Sequence, residues 1–82
     1  RVDGEVQKQR DGTRRSILEQ ELAAERNLLD EARKALAEGE ATRLGDERNY
    51  QKYLDRVQGL KDNVSLHEKN VNALTKELAG VR

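Results

Sequence analysis

The chain has 82 residues, of which 39% are charged and 34% hydrophobic, and its sixteen basic and sixteen acidic side chains cancel. With no Phe or Trp, and Tyr50 and Tyr53 as the aromatics, any buried layer has to be thin and aliphatic, which suits two packed helices and excludes a sandwich or doubly wound sheet. The absence of cysteine removes disulfides, thiolate nucleophiles and thiolate metal sites. Balanced charge argues against nucleic-acid binding, and no apolar run approaches the ~20 residues of a membrane span.

The sequence contains no proline and is rich in Ala, Leu, Glu, Arg, Lys and Gln, which predicts about 80% helix, far above the usual third. A first helix is expected over about residues 4–38. Its apolar seam is Leu18, Leu22, Glu25, Leu29, Ala32 and Leu36, spaced alternately four and three, and Ile17, Leu28 and Ala35 widen the stripe. Continued backwards, the seam meets Arg15, Asp11, Lys8 and Gly4, none of them a good core residue. Two starts compete. Ser16 with Glu19 makes a capping box, whereas Asp3 can cap an earlier start that tolerates Gly12 at about 1 kcal/mol. The earlier start is preferred, because the second helix would otherwise lie bare over half its length.

Residues 39–46, GEATRLGD, form the one clear break. Gly39 can close a helix in the left-handed conformation, and Asp46 can accept from the first free amides of the next. A hairpin turn is expected there. The second helix then covers about residues 47–79, with a seam of Tyr50, Val57, Val64, Val71 and Leu78 at seven-residue intervals. Each has a companion three places on: Tyr53, Leu60, His67, Leu74 and Val81. Five heptads of this kind make one helix supercoil against another.

A short connection makes the helices antiparallel. A turn centred near residue 41 puts Ala32 opposite Tyr50, Leu29 opposite Tyr53, Leu22 opposite Leu60 and Leu18 opposite Val64; a slip of one heptad, with Leu36 at Tyr53 and Leu22 at His67, is the alternative. In either register Leu74, Leu78 and Val81 face only the polar start of the first helix. A further line on the second helix, Gly59, Leu66, Ala73 and Gly80, again repeats every seven residues. The expected fold is therefore all-α, an antiparallel two-helix coiled-coil hairpin that self-associates into a helical bundle. A second copy or another part of the parent protein would cover Leu66, Leu74, Leu78 and Val81, and the expected assembly is a homodimer or a hairpin docked on another protein.

Catalytic chemistry has little to build on. His67 is the single histidine, and Val71 stands where a zinc-protease helix would carry its second imidazole. It reads as a seam histidine meeting Arg15, Asp11 or water, with a pH-dependent packing switch as the functional alternative. Asp30-Glu31 and Asp46-Glu47 diverge on a helix and make no acid and base couple. No catalytic, cofactor or metal residues are assigned, and the chain is not expected to be an enzyme. Lys8, Arg10, Arg14 and Arg15 form the densest basic patch, fit for phosphate, lipid head groups or an acidic protein, or simply a solvated helix end. Asn63-Val64-Ser65 matches a glycosylation acceptor, but Val64 belongs to the seam. Tyr50 and Tyr53 are expected to fill the widened end of the seam near the hairpin tip, hydroxyls reaching solvent, where a partner could also dock.

Three blocks carry a resemblance: Arg14 to Leu22 (RRSILEQEL), Gly45 to Arg56 (GDERNYQKYLDR) and Leu66 to Leu78 (LHEKNVNALTKEL). Together they resemble the C-terminal helical region of a family of small secreted Gram-negative bacterial proteins. The middle block is the most specific, and the outer two are partly generic coiled coil. The resemblance implies a periplasmic protein with a signal peptide and a small N-terminal domain of unknown function. The opening on Arg1, without a methionine, fits a segment of such a longer chain. The family includes a periplasmic factor that stabilises type IV pili in neisseriae, so the resemblance implies a pilus or envelope component as partner. The rival reading is a cytoplasmic regulatory or nucleic-acid-associated coiled-coil module.

Overall fold

In a computed structural model that describes residues 4–42 and 50–81, the chain is a hairpin of two helices, α1 (Gly4–Ala41) and α2 (Tyr50–Ala79). Strong helix formers and the absence of proline let α1 run 38 residues without interruption, about 57 Å at 1.5 Å per residue. It passes straight through Gly12 and Ser16, so Ser16 does not begin it. Three glutamines donate to an aspartate one turn on: Gln7 to Asp11, Gln51 to Asp55 and Gln58 to Asp62, at 2.8 to 3.1 Å. Each contributes about 0.2–0.5 kcal/mol to its own helix. At the far end, the amides of Gly80 and Val81 reach back to the carbonyls of Glu77 and Leu78, both at 3.1 Å. This tightens the last turn and satisfies carbonyls a helix terminus leaves open.

The expected break at Gly39 is overturned. Gly39 lies inside α1, three residues before Thr42 donates its amide to Glu38, and no described residue has a positive φ. Gly39 falls seven residues after Ala32 and continues the seam. A Cβ placed on it would collide with the Cδ1 of Leu60, so this glycine serves close approach of the two helices. The expected cap at Asp46 and the first residues of the second helix, 47–49, lie outside the described residues, as does Asp3.

The register differs from both expected ones. His67 meets Glu25, Gly39 abuts Leu60, and Arg15 donates to the carbonyl of Val81. These three crossings place the helices two heptads away from the register of the shortest turn. Leu36 is level with Leu60, Ala32 with Val64, Leu22 with Leu74 and Leu18 with Leu78. The central cluster is Leu29, Ala32 and Val64, with Leu36 and Val71 packed against it.

Shifting the register removes the expected mismatch at the end of α2. Leu18 and Leu22 are each only 6% exposed, and the α2 residues level with them are Leu78 and Leu74. Leu74, Leu78 and Val81 are half-buried, where the sequence reading left them facing polar side chains. What projects instead is the start of α1. Residues 4–14 extend beyond the Arg15 and Val81 crossing, an overhang of about 16 Å.

Candidate functional site

Each seam carries one polar side chain in its apolar stretch, Glu25 between Leu22 and Leu29 on α1 and His67 between Val64 and Val71 on α2, and the fold brings the two together. The Nδ1 of His67 lies 2.7 Å from Glu25 Oε2, with the two side chains 14% and 21% exposed. Against a carboxylate oxygen that nitrogen has to be the donor. One turn further along α2, the amide of Asn70 donates to the same oxygen at 3.4 Å. The expected partners of His67, namely Arg15, Asp11 or water, are thus replaced by Glu25. Arg15 is engaged elsewhere, its guanidinium 3.1 Å from the carbonyl of Val81.

This layer holds the Glu25 carboxyl below the usual range near 4.5. The His67 hydrogen bond is the largest cause, aided by Asn70 and by the charge of a protonated imidazole, and partial burial opposes it. A donor pair converging on one carboxylate stabilises the ionised form. Two turns further along α2, the hydroxyl of Thr75 donates to the Val71 carbonyl at 2.7 Å. Among the described residues no group of three or more His, Asp or Glu is placed to hold a metal ion, and no helix is long and apolar enough to cross a membrane.

The remaining candidate residues divide between seam and surface. Leu74, Leu78 and Val81 are half-buried along the seam, whereas Leu66 is exposed on the far side of α2. Tyr50 is exposed beside Tyr53, their ring centres 5.7 Å apart. The Tyr53 hydroxyl donates to the Glu40 carbonyl at 2.7 Å rather than only to solvent, closing an orphan acceptor at the end of α1. Arg56 stacks over the Tyr53 ring at 5.5 Å and reaches the Thr42 carbonyl at 3.3 Å. The basic patch does not form one surface. At 100° per residue, Lys8 and Arg15 lie along one flank of α1 and Arg10 and Arg14 along the other.

Sequence reasoning missed Glu25 and Asn70 as partners of His67, and Gly39 as a packing residue. The signal was present. Two seams with one polar residue apiece pair those residues at low cost, and Gly39 sits on the heptad grid. No family, curated protein or solved structure matches the chain.

Proposed function

We propose that the chain is a non-enzymatic interaction module of the bacterial periplasm, a helical hairpin that serves the stability or assembly of type IV pili. One observation carries the first part. His67, Glu25 and Asn70, the residues best suited to chemistry, are turned inward to hold α1 against α2. A carboxylate and an imidazole spent on each other in a helix seam set pairing specificity, as polar seam residues do in coiled coils. The outward surface is left to charge and scattered apolar side chains, which is the equipment of a docking rod.

The periplasmic location and the pilus role rest on the resemblance of the three sequence blocks, above all Gly45 to Arg56. The test is site-specific photocrosslinking in cells from the exposed positions Tyr50, Leu54 and Leu66 of α2, in piliated and non-piliated strains, with fractionation of the periplasm. Crosslinks to an envelope protein that disappear only without pili support the proposal. Recovery of the chain in the cytoplasm, or crosslinks that ignore the presence of pili, would refute it.

A further inference from the structure

The hairpin leaves a second apolar line uncovered on α1. Val6, Ile17 and Leu28 are 39%, 50% and 42% exposed, and they follow one another at intervals of eleven residues. Eleven residues turn a helix through three full turns plus about 20°, so the three side chains run almost straight along one side, about 16 Å apart. The line lies roughly 100° around α1 from the seam that meets α2. It extends onto the overhang beyond Val81, where α2 offers no cover.

We propose that a second copy of this chain occupies that line, α1 packing antiparallel against α1 about a two-fold axis at Ile17. Equal spacing makes the line self-complementary: a dyad at Ile17 sets Ile17 against itself and Val6 against Leu28 of the other copy, as an isologous interface requires. The flanking charges agree. Arg14 and Glu21 are both exposed on the same edge of the line, and the dyad brings each level with its opposite in the other copy, giving two ion pairs. Area agrees too. The chain exposes 6540 Å² at 9.3 kDa, where a compact monomer of that mass exposes about 5,000 Å². A standard interface removes about 800 Å² per partner, well within that excess.

This inference rests on reading the chain as an interaction module and names one partner for it. Its test is separate from the pilus crosslinks, because purified protein decides it. Sedimentation equilibrium should find a dimer, and Ile17→Glu should be monomeric with unchanged helicity. Arg14→Glu and Glu21→Arg should each weaken dimerisation about tenfold, and the double reversal should restore it. Ile17→Cys, in a chain with no other cysteine, should form an intermolecular disulfide on oxidation, and Ala37→Cys on the opposite flank should not. A monomer at about 1 mM, an assembly other than a dimer, indifference to both charge reversals, or equal crosslinking at Ala37 would each overturn the proposal.

Discussion

Leu78 decides between the register observed and the ones the sequence suggested. In the observed register Leu78 is half-buried and level with Leu18, which is 6% exposed; in the shorter-turn registers it would face Gly4 or Asp11. Truncating a fully buried leucine costs about 2–5 kcal/mol, and transfer from water alone accounts for about 1.5–3 kcal/mol. Partial exposure puts Leu78→Ala near the low end, about 2 kcal/mol. A chain of this length has a total stability of about 4–12 kcal/mol, so a sixth to a half of it would go. For a domain this small that lowers Tm by about 8–16 °C. The assay is thermal unfolding followed by circular dichroism at 222 nm, with Leu54→Ala as control. Leu54 is an exposed residue of α2, and its truncation should cost under about 0.5 kcal/mol. If Leu78→Ala shifted Tm no more than Leu54→Ala, the last turns of α2 would not be packed on α1 and the two-heptad shift would be wrong.

The polar layer predicts an acid limb. Glu25 is held below the ordinary 4.5 in the fold, so its contribution is fully present above that value and is lost as pH falls through the lower, folded one. Glu25→Gln should flatten the dependence of Tm on pH below 4.5, and a wild-type curve already flat there would contradict the pairing. His67→Leu alone should fail to stabilise, because it leaves the Glu25 carboxylate in the seam with Asn70 as its remaining donor. His67→Leu combined with Glu25→Leu should raise Tm above wild type, and a double-mutant cycle showing no coupling would refute the contact. Tyr53→Phe removes the donor to the Glu40 carbonyl and should cost about 0.5–1 kcal/mol in urea unfolding; an unchanged midpoint would mean that water replaces it freely.

The helices were legible because heptad spacing is a local property, and Leu18 through Leu36 and Tyr50 through Leu78 each declare a face without reference to the other. The register was not read because two signals competed at Gly39. As a turn residue it shortens the connection and centres the hairpin near residue 41. As a seam residue it lets Leu60 approach and moves the centre later. Matching the seams against each other resolves the conflict, since only the observed register gives Leu74 and Leu78 the apolar partners Leu22 and Leu18. The same exercise brings Glu25 within reach of His67. Intrinsic turn preference lost to the burial of two leucines, as a difference of several kcal/mol against about 1 kcal/mol would dictate.

The shift also relocates the surface available for binding. In the shorter-turn registers the unmatched material is the end of α2, and a partner would have to cover Leu74, Leu78 and Val81 as an extension of the same seam. In the observed register Leu74 and Leu78 are matched by Leu22 and Leu18, and Arg15 clasps the chain at Val81. The uncovered apolar side chains of α1 then lie beside the seam rather than beyond it, on Val6, Ile17 and Leu28, and their line runs out along the overhang. A seam extended end to end would join copies through the ends of α2, whereas a line on the flank with equal intervals closes as a dimer through α1. The placement of one glycine inside a helix, rather than at its end, therefore separates two kinds of assembly.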